Sequence, residues 1–387
     1  MSEIAQTAKL ISNDELRTMS SEEYMVIDIR GEYSYSFGHI DGAVPVSSKL
    51  SDEEISARLS EYKGKKLIVC GNGGIMSGEF ADRLCLLGFD AYNLDGGYID
   101  WLRTALETGG SKAEDAERSI RKKFHSSLLS RFTKALNEYQ LISEGDKIAV
   151  CISGGKDSFL MAKLFQEIKR HNKMEFEVVF LLMDPGYSPA NRRIIEKNAE
   201  LLDIPLTIFE TDIFSSVFNV KTNPCYLCAR MRRGNLYAKA KELGCSKIAL
   251  GHHFDDVIET ILMGMIYGGQ VQTMMPKLHS ANFEGMELIR PMYFIREEDV
   301  KRWRDYNGLH FIQCACKFTD QAASEEDNEH TSKRQEIKQL ISQLSKINPQ
   351  IEMNIFRSVE GVNLKTLPSY KDLDGNLHHF LDNYEKY

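Results

Sequence analysis

The run KIAVCISGGKDSFLMAKLF, residues 147–165, constrains the fold of this chain more than any other stretch. KIAVCI reads as a strand-length apolar segment, Ser153-Gly154-Gly155-Lys156-Asp157-Ser158 as a glycine turn, and the remainder as an amphipathic helix. A strand feeding a helix through glycines lets the backbone approach an anion closely. The N–H groups of the first helical turn then point at it, and the helix dipole favours negative charge there. Ser153 and Ser158 add hydroxyl donors and Lys156 adds a positive charge. The turn is shorter than G-x-x-x-x-G-K-[ST], which sets it apart from ordinary P-loop NTPases.

Further strand-like runs follow at EVVFLLMD (177–184), LTIFETD (206–212) and KIALGH (247–252), with helical stretches between them. This βαβ alternation predicts an α/β fold with a doubly wound parallel sheet. Ligands of such sheets sit at the carboxyl ends of the strands. Met183, near the end of EVVFLLMD, and Gly251 and His252, at the end of KIALGH, are therefore expected nucleotide contacts beside Ser153–Ser158. In GHHFDDVIET (251–260), Asp255, Asp256 and Glu259 have helical spacing. They suit Mg²⁺ held through oxygen and water, or proton transfer, and equally an acidic first helical turn.

NPCYLCARMRRG (223–234) holds Cys225 and Cys228, and FIQCACKF (311–318) holds Cys314 and Cys316. A C-x-x-C pair brings two soft thiolates to one metal or cluster. Cys225, Cys228 and Cys314 together would leave one iron of a [4Fe–4S] cluster open. A closed zinc site would add Cys316, and a redox pair or core thiols are the other readings. Arg230, Arg232 and Arg233 follow the pair directly and suit the phosphates of a folded RNA. Arg192, Arg193 and Arg121-Lys122-Lys123 would extend that track. The net charge of −8 confines any such contact to local basic patches. No stretch is apolar enough to span a bilayer and no secretory leader is evident, so a cytoplasmic protein is expected. In that setting its eight cysteines are reactive, metal-binding or buried rather than disulfide-bonded. Cys85, Cys151 and Cys245, in apolar contexts, read as core.

Residues 1–108 read as a separate small α/β unit, with strands MVIDI (25–29) and KKLIVC (65–70) and a helix over GEFADRLCLLGF (78–89). A solvated, charged linker running into a helix is expected over 109–125, a second α/β domain over 126–365, and an unassigned polar, aromatic tail over 366–387. The acidic run 325–329 reads as an exposed loop.

SGGKDS resembles the signature of the PP-loop ATP pyrophosphatase superfamily. With PCYLCARMRRGNLY, KELGCSKIALGHHFDDVIET, MIYGG, MPKL and IRPM in this order, residues 126–365 resemble the tRNA 2-thiocytidine synthetases. The resemblance implies an adenine nucleotide alpha hydrolase-like fold, ATP, Mg²⁺ and a [4Fe–4S] cluster on Cys225, Cys228 and Cys314. It also implies adenylation of a cytidine carbonyl in the tRNA anticodon loop, delivery of sulfur to the activated carbon, and a possible homodimer. The second cysteine motif departs from the family, being Cys314-Ala315-Cys316 rather than C-x-x-C. VIDIRGEYSYSFGHIDGAVPV (26–46) and LIVCGNGGIMSGEFADRLCLLGFDAYNLDGGYIDW (67–101) resemble a single rhodanese domain. That implies sulfur carried as a persulfide on Cys70, with the amides of the Gly71–Ser77 loop stabilising the anion. The loop lacks the usual arginine and is one residue longer. The sulfur would come from a donor such as a cysteine desulfurase or from sulfide, and fusion would raise the carrier's effective concentration at the acceptor site. Two other readings remain at this point: an iron–sulfur desulfidase of thiolated bases, and a non-catalytic sulfur relay or RNA-binding protein.

Overall fold

The structure, a computed structural model, describes residues 7–107, 110–171, 174–214, 224–312, 333–372 and 374–386. The chain divides into two compact units: Met1–His253 with Pro276–Glu329, and Phe254–Met275 with His330–Tyr387.

The first unit contains two sheets. The N-terminal sheet is built from β1 (Lys9–Ile11), β2 (Tyr24–Asp28), β3 (Val44–Pro45), β4 (Lys66–Cys70) and β5 (Ala91–Leu94). All its strands are parallel, in the order β1-β5-β4-β2-β3. Helices α1 (Asn13–Thr18), α2 (Gly31–Phe37), α3 (Asp52–Arg58), α4 (Ile75–Leu86) and α5 (Gly97–Glu107) surround it. Ser12 with Glu15 and Ser51 with Glu54 form capping boxes that start α1 and α3; each cap contributes about 1 kcal/mol. Phe80 and Leu84 of α4 pack with Ile27, Leu67 and Val69 of the sheet, as their helical spacing predicts.

The second sheet contains β6 (Lys147–Ile152), β7 (Glu177–Asp184), β8 (Leu206–Glu210), β9 (Lys247–Ala249), β10 (Lys277–His279) and β11 (Glu287–Ile289). The order is β10-β11-β9-β6-β7-β8, and only the β10–β11 pair is antiparallel. Every residue of β6 after Lys147 is buried. Central strands covered on both faces read as unbroken apolar runs, which is why KIAVCI was recognisable. Helices α6 (Ala113–Arg121), α7 (Ser130–Glu138), α8 (Lys156–His171), α9 (Pro189–Leu201), α10 (Pro224–Glu242) and α12 (Glu297–Tyr306) belong to this part.

The segment 109–125 differs from the solvated linker expected. Within it α6 buries Ala116 and Ile120 completely. Its Glu117 is also buried, 2.5 Å from Lys163 Nζ and paired with Arg170. The charges that suggested solvation lie partly on the other face and partly inside an ion-pair cluster.

In the second unit, α11 (Phe254–Gly268) packs with α13 (Lys333–Ile347) and α14 (Ile351–Ser358), and the rings of Phe254 and Phe356 stack at 4.8 Å. The tail left unassigned by sequence forms an antiparallel hairpin of β12 (Ser369–Lys371) and β13 (Leu377–His379). The acidic run 325–329 lies outside the described residues. Among those described, no helix is long and apolar enough to cross a membrane.

Candidate active site at the carboxyl edge of the second sheet

The glycine turn leaves β6 at Ile152 and enters α8 at Lys156. Gly154 has φ +88°, and a Cβ there would lie 2.8 Å from Ile195 Cδ1 and 3.1 Å from Ile312 Cδ1, so glycine is required twice over. Ser153 N–H donates to Ser158 Oγ at 3.1 Å, and Ser158 O–H donates to Gly155 O at 2.9 Å. These bonds hold the turn closed on itself around the start of α8.

Lys156 is buried, with Nζ 3.0 Å from Asp157 Oδ2 and 3.3 Å from Glu297 Oε1. Burial works against its charge, but the two carboxylates outweigh that and hold the ammonium above its ordinary pKa. Asp157 Oδ1 is buried without a hydrogen-bond partner among the described residues and lies 3.9 Å from His253 Nε2. A carboxylate oxygen left open beside a phosphate-type turn is a hard donor suited to Mg²⁺. The sequence pattern marks Asp157 only as part of the nucleotide turn and not as a metal ligand.

Gly251 approaches this turn closely, since a Cβ there would lie 3.4 Å from the Asp157 carbonyl carbon. His252 Nδ1 accepts from Arg290 Nε at 3.4 Å. The structure thus brings Ser153–Ser158, Gly251 and His252 together. Met183 has its side chain in the core with Ile213, where Cys228 and Met231 pack against the pair. Cys228, half-buried on α10, therefore reaches the carboxyl end of β7, the strand next to β6. Cys225 lies three residues earlier on α10. Its side chain, and Cys314 and Cys316, lie outside the described residues. Ile312 Cδ1 lies 3.1 Å from where a Cβ on Gly154 would be. Cys151 and Cys245 are core, as expected, and burial pushes the Cys151 thiol up to about 12.

Arg230 and Arg233 are exposed on α10 and Arg232 is half-buried. The longer basic track is corrected at two places. Arg192 is bound by Asp184 at 2.5 Å and Glu196 at 2.7 Å, and Arg121 by Glu167 at 2.9 Å. Both guanidiniums are consumed by internal carboxylates that the sequence did not link to them.

The acidic helix start is likewise committed. In the second unit, Arg334 donates from Nη2 to Asp256 Oδ1 and from Nε to Glu259 Oε2, each at 2.6 Å. Burial raises the Glu259 carboxyl above its usual range against the pull of Arg334. Asp255 lines a cavity of about 370 Å³ with Glu259, Lys338, Lys346 and Glu352. Asp256 and Glu259 are therefore both engaged by Arg334 in this structure. Arg334 was missed because no motif marks it.

In the N-terminal sheet, Cys70 ends β4 fully buried, with Sγ 3.6 Å from Gly71 O. Burial pushes its thiol up to about 12, against the pull of the Arg30 charge and with a further push from Asp28. In this arrangement Cys70 is a covered thiol. Across the sheet from it, Asp28 holds Arg30 through Oδ2 at 2.6 Å, and the guanidinium lies 3.6 Å from the centre of the Tyr98 ring. Tyr98 N–H donates to Gly71 O at 2.8 Å, and Gly97, at φ +59°, leaves only 2.5 Å between a hypothetical Cβ and that oxygen.

Comparison with known proteins agrees with both halves. Residues 12–104 match the rhodanese-like domain model and residues 124–322 the PP-loop domain model. The chain is 35% identical over 251 residues to the tRNA-cytidine(32) 2-sulfurtransferase of Syntrophotalea carbinolica, covering 64% of this chain and 91% of that protein. It is 35% identical over 256 residues to the enzyme of the same name from Coxiella burnetii, covering 64% and 92%. Among solved structures it is similar to the U34-tRNA thiolase NcsA from Methanococcus maripaludis with its [4Fe-4S] cluster, with a TM-score of 0.48 and 22% identity over 61% of this chain and 78% of that one.

Proposed function

The chain belongs to the tRNA-cytidine(32) 2-sulfurtransferase family of PP-loop proteins, and on that premise we propose that it thiolates cytidine in the tRNA anticodon loop using ATP. One observation carries the reading: the SGGKDS turn and Cys228 converge on the carboxyl ends of the adjacent strands β6 and β7. Nucleotide activation and sulfur delivery then share one sheet edge.

The turn amides and Lys156 bind the phosphates. The O2 oxygen of the base attacks the α-phosphorus, and the bond to the β-phosphate oxygen breaks with release of pyrophosphate. A sulfur nucleophile then attacks C2, the C2–O bond breaks and AMP leaves. Arg230, Arg232 and Arg233 hold RNA phosphates beside the site. Cys225, Cys228 and Cys314 would hold a [4Fe–4S] cluster, which supplies an iron open to sulfur. Asp157 Oδ1 is the oxygen that fits Mg²⁺. The rhodanese-like domain carries sulfane sulfur on Cys70 from a donor such as a cysteine desulfurase, and a thiol reductant supplies the two electrons that release it at the sulfide level for the attack on C2. Because the Cys70 thiol is covered, its loop opens before transfer.

The test is mass spectrometry of tRNA nucleosides from cells with and without the gene. Loss of 2-thiocytidine is expected. Unchanged thionucleosides would overturn the reading, and accumulation of one would point to desulfuration instead. For the carrier, Cys70→Ala lowers transfer from a persulfide donor and spares transfer from sulfide; an equal fall in both removes that role.

A further inference from the structure

The dipeptide Phe37-Gly38 stands between the two chemistries of the first unit. Phe37 ends α2, and its ring centre lies 4.7 Å from Lys156 Nζ. Its Cζ lies 3.9 Å from where a Cβ on Gly155 would be. The carbonyl oxygen of Phe37 accepts from Arg304, as does that of Ser36 at 3.4 Å, which ties the end of α2 to α12. Gly38 faces the other way. Its carbonyl accepts from Arg30 Nη2 at 2.7 Å, and any side chain on it would meet Tyr98 Oη at 2.8 Å. Arg30 and Tyr98 stand beside Cys70: Arg30 pairs with Asp28, the register partner of Cys70 across the sheet, and Tyr98 N–H holds the carbonyl of the next residue, Gly71.

We propose that Phe37 is a stopper on the nucleotide site and that nucleotide binding and uncovering of Cys70 are one coupled transition. This rests on the reading that the SGGKDS turn binds ATP. The ammonium that a phosphate would meet is already engaged by Asp157, Glu297 and the π-face of Phe37. A phosphate arriving at Gly155 and Lys156 competes for that cation and for the space beside the ring. Withdrawal of Phe37 carries Gly38 with it, because the two are covalently joined. Arg30 then gives up its bond to Gly38 O, and Tyr98 loses the surface beneath its hydroxyl. Both changes loosen the packing beside Cys70. Chemically the device keeps a labile sulfur closed until the nucleotide that activates the acceptor is in place.

Coupling of this kind is reciprocal and typically amounts to about 5- to 150-fold in affinity. The experiment uses the full chain, a non-hydrolysable ATP analogue as probe, and alkylation of Cys70 followed by peptide mass spectrometry. Saturating analogue is expected to raise the alkylation rate of the wild-type protein by about fivefold or more. Phe37→Ala should bind the analogue about fivefold or more tightly and alkylate quickly without it. Phe37→Leu keeps the apolar volume and removes the π-face, so it carries the test if the alanine variant melts early. Analogue bound with no change at Cys70, or wild-type affinity in both variants, overturns the stopper while leaving the thiolation reading intact. Failure of the analogue to bind at all overturns both.

Discussion

The guanidinium of Arg334 lies 2.6 Å from the carboxylate of Glu259, a residue only 4% exposed, inside the second compact unit. The same group also holds Asp256. Arg334→Met would strand a buried negative charge. Because Arg334 is itself half-exposed, the cost is about 1–3 kcal/mol rather than the full penalty of a buried pair. The sign with pH follows from the raised folded value of Glu259. An acid protonated more readily in the folded state supports stability at low pH and withdraws that support as pH rises through its folded value. The deficit of Arg334→Met should therefore be small at acidic pH, where Glu259 is protonated, and grow as pH rises above the usual carboxylate range, as urea melts would reveal. A deficit independent of pH would mean that the lost contact was packing and not charge.

Asp157 and Asp256 separate as candidate metal ligands. Asp157→Asn should raise the Mg²⁺ concentration needed for pyrophosphate release by about tenfold or more, because it alters a carboxylate oxygen without a hydrogen-bond partner beside the glycine turn. Asp256→Asn should leave the Mg²⁺ titration where it was, since that carboxylate already serves Arg334. The opposite pattern would return the metal to the acidic helix start.

Cys70 should titrate as a covered thiol. With its pKa pushed up to about 12 from an ordinary 9.0, its alkylation rate without nucleotide should keep climbing above pH 9 instead of reaching a plateau. The folded state holds this proton more tightly than the unfolded chain. Stability from Cys70 is thus complete below pH 9 and lost as pH rises from 9 toward 12. A plateau below pH 9 in the wild type would mean that Cys70 is not closed.

The arginines divide by their partners. Each of Arg230→Ala and Arg233→Ala should weaken tRNA binding and reduce the slope of log affinity against log salt by about 0.7–0.9, as expected of a lost phosphate contact. Arg192→Ala should leave that slope unchanged and lower the melting temperature, because it frees Asp184, whose carboxyl is held low against burial by Tyr187 N–H and Arg192. Salt titrations by filter binding distinguish the two classes.

What the sequence by itself determined was local in character. KIAVCI and EVVFLLMD matched β6 and β7 residue for residue, because strands buried on both faces must be apolar throughout. SGGKDS announced its turn because Gly154 needs both a positive φ and the absence of a Cβ. The fold class and the two-part organisation followed from such signals in order along the chain. The short β10–β11 pair did not, since three-residue strands carry too little periodicity to read. Only the tertiary structure decided which charges are spoken for and which thiol is covered. Arg334 meets Glu259 across 75 residues of chain, Arg192 meets Asp184 from the next helix, and Phe37 meets Lys156 from the other sheet's domain. A charge in a sequence has a type but no partner. Whether it binds a ligand or a neighbour depends on which distant side chain folding brings within hydrogen-bond reach, and on how much water is left around the pair.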